Sequence, residues 1–521
     1  MSNLHLGLDS STQSISGVVI DLDTRKIVYA RSLSFDEALP HYGTQNGVLR
    51  SSDPTLFHAP PLLWVEALDR LFAQMKKDGV ALGELRSISG SGQQHGSVYL
   101  NDTAATALAR LDPSRSLADN LKGIFSRATS PIWMDSSTTK PCAEITRAMQ
   151  ACGGIINATG SAAVERFTGP QIRKFWQQEP EAYGRTRHIA LVSSFLCSVL
   201  SGKIAPIDPG DGAGMNLMDI RNLTWHRDAL SATAPDLATK LPPLAPSGTV
   251  IGPVSAYWSR KYGVHPQAQS VIWSGDNPCS VVGMGLIRPG MVAISMGTSY
   301  TYFGTMAACH VDPQGEGHVF GSPAGGYMTL NCFKNGGLAR ARTRDRYGLD
   351  WAGFGRAMAS VPPGNNGRLL LPWFDTEIVP KVLTPGVRRL GLAEDDVAGN
   401  CRGVVEAQML AMRLHSGWMG ERPSVIYATG GASSDPTVLH VMANVFQCPV
   451  QRSEITKSAA VGAALIAARA VTPEVSWADL VRGFAEPASD GMVTPEPGTA
   501  AIYQELMERY AEFEQTAVTN P

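Results

Sequence analysis

VIWSGDNPCSVVGMGLIRPGMVAISMGTSYTYFGT, Val271 to Thr305, sets one isolated acid between two strand-like runs. Val271-Ile272-Trp273 reads as a short strand. Ser274 to Pro278 then turns into a helix that Arg288-Pro289-Gly290 ends, so Asp276 falls where strand gives way to helix. Met291 to Met296 is apolar apart from Ser295, breaks at Gly297-Thr298-Ser299, and resumes as Tyr300 to Phe303. The pattern predicts a hairpin whose turn offers backbone N–H and hydroxyl donors.

The N-terminus repeats the hairpin: Leu4 to Leu8 is strand-like, Asp9-Ser10-Ser11-Thr12-Gln13 is a hydroxyl-rich turn, and Ile15 to Ile20 is a second strand. Converging N–H groups and hydroxyls make an anion-binding concavity that needs no lysine. Either turn alone reads as an ordinary hairpin. Two of them, with Asp276, suggest the two halves of a polyphosphate clasp.

A chain of 521 residues exceeds one hydrophobic core, and two domains of roughly 250 residues are the natural division. The net charge of −2, with 17% charged residues and no long basic run, argues against a nucleic-acid or membrane-surface partner. Eight cysteines contain no C-x-x-C pair, which speaks for reduced thiols and against a zinc site or disulfide framework. The N-terminus has no basic n-region, and the most apolar segment, Ile189 to Leu200, is too short to span a bilayer, so a cytoplasmic location is expected.

Leu62 to Met75 has helical spacing behind Pro60-Pro61. Leu85 to Ser89 is a strand running into Gly90-Ser91-Gly92-Gln93-Gln94-His95-Gly96, before the strand-like Val98 to Leu100. This cluster fails the dinucleotide fingerprint, because its third glycine is displaced and a strand follows where a helix is needed. The Walker loop is missing too, since Gly202-Lys203 is followed by Ile204 and position 197 is Cys. A lone His reads first as a buried structural histidine satisfied by its turn, while a polar turn at a strand end also places His95 to touch a ligand.

Thr138 to Gln150 is expected to be a helix capped by Ser136 or Ser137, with Asp135 helping, and a further helix starts at Ile172. Arg166 alone reads as a surface ion-pair partner. Ile189 to Leu200 reads as a buried helix, and Asp208 to Gly214 as a shaping loop without the ligand alternation of a calcium site. Prolines 235, 242, 243, 246 and 253 mark a boundary, giving domains 1–268 and 269–521, the second holding Asp276. Leu338 to Tyr347 reads as a basic, solvated helix, and Val404 to Ser416 as an apolar one. Val425 to Thr429 is a buried strand ending in Gly430-Gly431, where the glycines serve a tight turn or let a flat ligand lie on the backbone. Asp435-Pro436 makes an N-cap and first-turn pair, and the small-residue helix Ser458 to Ala470 is expected to pack under that turn.

In this order the motifs Asp9-Ser10-Ser11-Thr12-Gln13, Gly92 to Ser97, Trp133 to Ser137, Glu165 to Gly169, Gly275 to Pro278, Gly297-Thr298-Ser299 and Ala428 to Ser433 resemble those of the FGGY carbohydrate kinases. Within that family the chain is most similar to the xylulose kinases. The resemblance implies an α/β chain of two actin-like (ribonuclease H-like) domains with ATP and sugar in the cleft between them, working as a monomer or homodimer. It implies phosphorylation of D-xylulose by Mg²⁺-ATP, with Asp276 as catalytic base and His95, Arg166, Asp276 and Asn277 holding sugar hydroxyls. Asp9, Ser11, Thr12 and Gln13, with Gly297 and Thr298, are then phosphate turns. Asp9 also positions Mg²⁺ through water, while Trp351, Gly430, Gly431, Ala432 and Asp435 serve the adenosine site.

An unperturbed carboxyl, with a pKa of about 3.9, would be ionised at pH 7 and take the hydroxyl proton late in transfer. Two other readings stay open. One is a kinase of ribulose, gluconate or glycerol; the other is a non-catalytic ATP-binding protein of the actin or Hsp70 type, against which Asp276-Asn277 argues.

Overall fold

The computed structural model describes residues 3–486 and 491–519. The contacts divide the chain into two compact units: Met1–Ile287 with Val319–Tyr327 and Ile455–Glu486, and Arg288–His318 with Met328–Glu454 and Pro487–Pro521.

In the first unit the strands lie in the order Val250–Pro253, Gln269–Val271, Leu85–Gly92, Leu4–Ser10, Ser14–Asp21, Lys26–Ser34. Leu4–Ser10 and Ser14–Asp21 form the expected hairpin, with Ser10 opposite Ile15, and Leu4–Ser10 runs parallel to Leu85–Gly92. The boundary expected at 268/269 is drawn elsewhere. Gln269–Val271 and Ser274–Gly275 both pair in parallel with Leu85–Gly92, which carries Asp276 into the first unit. The proline-rich stretch ahead of them is therefore a path between strands of one sheet.

One face of this sheet carries the helices Pro61–Lys77, Val192–Ser201 and Ala256–Tyr262, whose buried Phe72 and Trp258 rings meet at 4.5 Å between centroids. Each such burial contributes about 1.5–3 kcal/mol. Over the residues expected to be one helix from Ile189, the chain is first a strand. His188–Leu191 pairs antiparallel with Ser97–Leu100, and the helix begins only at Val192.

Gly430 belongs to the second unit, whereas the helix Ser458–Val471 belongs to the first. It lies against Asp276–Gly283, where glycine allows backbone contact. A Cβ on Gly283 would stand 1.8 Å from the Ser458 carbonyl oxygen, and one on Gly462 1.8 Å from that of Cys279. Gly7, on the first strand, is held equally close to Ala460.

The second unit repeats the strand plan: Tyr327–Phe333, Tyr300–Met306, Met291–Met296, Val425–Thr429 and Val450–Arg452 lie in that order. Met291–Met296 and Tyr300–Met306 are the expected hairpin, and Met291–Met296 runs parallel to Val425–Thr429. Val397–Leu414 and Thr499–Thr519 are joined by a buried network: Glu406 accepts from Arg402 Nε at 2.7 Å, the Tyr503 hydroxyl at 2.7 Å and Gly364 N at 2.9 Å. His415 continues the seam, with Nδ1 at 3.1 Å from Glu316 and Nε2 at 2.8 Å from Glu514.

All eight cysteines are free. Among the described residues no helix is long and apolar enough to cross a membrane.

Candidate functional site

In the first unit, the strand Leu85–Gly92 ends beside two others, the one finishing at Ser10 and the one finishing at Gly275. Their ends bring Asp9, the Gln94-His95 turn and Asp276 to one region. Asp276 opens the helix Asp276–Gly283, and its Oδ1 accepts from Asn277 N at 2.8 Å and Asn277 Nδ2 at 3.1 Å. Asn277 Nδ2 also donates to Gln94 Oε1 at 2.8 Å, fixing that amide. Gly275 must lack a side chain here, because a Cβ would stand 2.5 Å from Gln94 Cγ.

Asp9 accepts from the Ser91 hydroxyl at 2.8 Å. Burial pushes Asp9 up to about 6, against the pull of Ser91 and Lys457. Burial, with Asp9 adding to it, pushes Asp276 up to about 7. The ordinary carboxyl expected from sequence is thus replaced by a pair that disfavours double ionisation, which is how two acids near one centre behave.

His95 is held in the left-handed backbone region at φ 72°. Its Nδ1 lies 2.9 Å from the Gly214 carbonyl, which only accepts, so Nδ1 carries a proton and donates it there. The ring lies 4.5 Å from that of Phe167, and the Arg166 guanidinium carbon lies 5.8 Å from the Phe167 ring centroid. Phe167 therefore links the two expected sugar-binding side chains, and Arg166 is half-buried beside it.

The turn after Asp9 is closed by Ser11, whose N–H and hydroxyl both donate to the Ser14 carbonyl at 3.0 Å. Gln13 is exposed, and its carbonyl accepts from Phe35 N. The Trp133 indole donates to the Thr12 hydroxyl at 2.8 Å, leaving the ring 45% exposed. Asp135 is not a helix cap. It is fully buried and accepts from Phe57 N, Ser137 and Gln171, while Thr139–Met149 starts from Thr138 with no side-chain cap.

Two buried acids, in the stretch read as a shaping loop, were not among the expected site residues. Asp208 caps the one-turn helix Pro209–Gly212 and also accepts from the Ser274 and Ser247 hydroxyls. Asp211 accepts from Ser193 Oγ at 2.5 Å, and burial, with Asp276 and Asp208 adding to it, raises it well above the usual carboxylate range. Two acids in a glycine turn without EF-hand alternation carry no local signal that both will be buried.

The second unit holds a cavity of about 600 Å³. Gly297 and Thr298 line it from the hairpin turn, and Gly431, Ala432 and Asp435 from the end of the strand Val425–Thr429. Trp351, the first residue of the helix Trp351–Ala359, adds a ring 47% exposed. The two neighbouring glycines differ in purpose. Gly430 has φ 85°, and a Cβ would meet the Met296 carbonyl oxygen at 2.6 Å, so it is the tight turn. A Cβ on Gly431 would meet nothing within 4 Å, so that position leaves open space at the cavity wall. Asp435 is the predicted cap, its Oδ1 accepting from Thr437 N at 2.9 Å.

The helix Gly337–Arg346 abuts the hairpin turn, Gly337 N and Leu338 N each donating at 3.1 Å to the Gly297 and Thr298 carbonyls. It is not the solvated helix expected from its basic run. Ala339, Arg340 and Thr343 are buried, and Arg340 lines the cavity.

The model for the N-terminal domain of the FGGY family of carbohydrate kinases matches residues 128–283, and that for its C-terminal domain matches residues 292–471. Rat xylulose kinase is 40% identical over 523 aligned residues, covering 98% of this chain and 96% of its own. Among solved structures, xylulose kinase from Rhodospirillum rubrum superposes with a TM-score of 0.82 at 21% identity, over 98% of each chain. Gluconate kinase from Lactobacillus acidophilus gives 0.80 at 19% identity, over 99% of each. Both share the two-domain, actin-like fold.

Proposed function

We propose that this chain, which belongs to the FGGY family of carbohydrate kinases, transfers the terminal phosphoryl group of ATP to a hydroxyl of D-xylulose, giving D-xylulose 5-phosphate. The observation that carries the chemistry is Asp276: a carboxyl at a helix start, locked by Asn277, with Asp9 close enough to raise it. The sugar assignment is supported by relatives such as the rat xylulose kinase, whereas the fold alone is common to kinases of gluconate and xylulose.

Phosphoryl transfer passes through a loose transition state, so catalysis is mostly positioning and charge stabilisation. Asp276 orients the attacking hydroxyl and takes its proton as the bond to phosphorus forms. Asn277, His95 and Arg166 fix the remaining hydroxyls. Arg166 serves as a donor, and the Asn277 amide is oriented by its bond to Gln94. In the second unit, Gly297 and Thr298 present the phosphate turn, and Trp351, Gly431, Ala432 and Asp435 enclose adenosine.

The carboxyl pair suits a divalent cation. Burial raises Asp9, burial with Asp9 beside it raises Asp276, and a cation between them would lower both. A magnesium ion keeps several waters and takes one or two carboxylates plus phosphate oxygens, so one buried carboxylate is enough on the protein side. Asp9 would hold it through water. Bound with the nucleotide, the ion supplies charge neutralisation on the phosphates.

The test is ADP release with Mg²⁺-ATP against D-xylulose, D-ribulose, D-gluconate, glycerol and no sugar, on wild type and Asp276→Asn. D-xylulose should give the highest kcat/KM. Each unpaired buried polar group costs about 1–3 kcal/mol, so an epimer should fall by roughly ten- to a hundredfold. Asp276→Asn should lower kcat by at least about 10²-fold. Another sugar ahead by that margin overturns the substrate, and full turnover in Asp276→Asn overturns the base.

A further inference from the structure

One cation lines the nucleotide cavity of the second unit, and the proposed chemistry has not used it. Arg340 is 7% exposed, and its guanidinium carbon lies 5.7 Å from the Tyr300 ring centroid and 5.5 Å from that of Trp351. Its Nε finds no hydrogen-bond acceptor, and among the described residues no carboxylate makes an ion pair with it. The contrast with Arg344 one turn on is direct. Arg344 stands 4.4 Å over the same Trp351 ring but donates from Nε and Nη2 to Asp345.

Arginine stays charged at any pH the protein meets, so burying it without a counter-charge is costly, and cation–π contact offsets only part of that cost. A buried guanidinium with an unused donor on a cavity wall is complementary to an anion in the cavity. The backbone indicates which part of a ligand it would meet. Side chains of a helix point back toward its N-terminus, and this helix begins at Gly337 and Leu338, hydrogen-bonded to the Gly297-Thr298 turn. Tyr300 follows that turn directly. The guanidinium thus stands between the phosphate turn and the Trp351 ring.

We propose that Arg340 binds the phosphate chain of the nucleotide, as the charged partner of the Gly297-Thr298 turn, and that Tyr300 and Trp351 hold its planar group in position. This rests on the reading of the cavity as the nucleotide site, and the test separates the two.

Adenosine, ADP and ATP are titrated by calorimetry into wild type, Arg340→Met, Arg340→Lys and Gly431→Val. Arg340→Met should weaken ADP and ATP by at least about tenfold and adenosine by less than about twofold, with Arg340→Lys recovering part of the phosphate-dependent loss. Equal weakening of adenosine and ADP would overturn the proposal in favour of a prop for Trp351, and so would unchanged ADP affinity. If Arg340→Met does not fold, Arg340→Lys, which keeps the charge but loses the planar fork, is judged by the same difference between ADP and adenosine. If Gly431→Val binds adenosine like wild type, the nucleotide is not in this cavity and the underlying reading falls first.

Discussion

Gly430 and Gly431 are adjacent, yet the structure assigns them different jobs, and a pair of substitutions separates them. Gly430→Ala places a methyl group 2.6 Å from the Met296 carbonyl oxygen and 2.8 Å from its carbon, on a backbone with φ 85° and ψ 173°. That region is nearly closed to side chains and costs about 1–3 kcal/mol, and relieving the clash adds about 1–3 kcal/mol. Taking about 3 kcal/mol in total, melting of the second unit should fall by roughly 6–12 °C, at 2–4 °C per kcal/mol for a domain of this size. Gly431→Val meets nothing within 4 Å of its Cβ, so melting should stay within about 1 °C of wild type. Its methyl groups instead enter the cavity. A ligand lying on that wall must shift, at about 1–3 kcal/mol, or roughly 5- to 150-fold in Kd for adenosine and ATP, while KM for the sugar stays within about twofold. Differential scanning calorimetry and nucleotide titration on both variants read the two effects separately. The reasoning is refuted if Gly430→Ala melts like wild type, or if Gly431→Val loses thermal stability without losing nucleotide.

Two further outcomes follow from other contacts. Gly462→Ala drives a methyl toward the Cys279 carbonyl oxygen, 1.8 Å from the ideal Cβ, and displaces the helix that Asp276 begins. Stability should drop by about 1–3 kcal/mol and kcat should fall at least about tenfold, with KM for ATP nearly unchanged; wild-type kcat in this variant would show that the base does not depend on that helix contact. His415 concerns stability alone. Burial would lower it, but Glu316 and Glu514 hold it up at about 10. The folded chain keeps a proton that the unfolded chain releases near 6.5, so this contribution is complete below that pH and disappears as pH rises through about 10. Urea unfolding between pH 6 and 10.5 should show wild type losing stability with a steeper slope than His415→Gln, and equal slopes would remove His415 as the cause.

The hairpins at 10–14 and 296–300 were legible in the sequence because their signal is local: apolar runs of strand length, interrupted by residues that turn. The cap at Asp435 and the position of Asp276 at a strand-to-helix junction are local for the same reason. What the sequence did not carry is set by partners far along the chain. Ile189 to Leu200 is continuously apolar, and only the pairing of His188–Leu191 with Ser97–Leu100 makes its start a strand. The proline-rich stretch looked like a linker, but parallel pairing of Gln269–Val271 and Ser274–Gly275 with Leu85–Gly92 keeps it within one sheet. The helix Ser458–Val471 is small-sided enough for any close backbone, and Gly7, Gly283 and Gly462 decide which one it meets.

The misreadings with functional weight have the same origin. Asp276 looked like an ordinary carboxyl because neither its burial nor Asp9 is near it in sequence, and both act to raise it. Arg340 looked solvated because a basic run usually faces water, whereas Tyr300 and Trp351 give this one guanidinium a buried place. The two units share one strand plan, with a hairpin whose first strand is joined in parallel by a later one. The plan therefore fixes where a turn lies, not what the turn does. In the first unit the third parallel strand ends in Gly275-Asp276 and delivers an acid. In the second, the joining strand ends in Gly430-Gly431, and the helix from Gly337 delivers a cation beside an open wall. An acid from a strand end in one repeat and a cation from a helix in the other are what would make the first suit a phosphoryl-accepting hydroxyl and the second a polyphosphate.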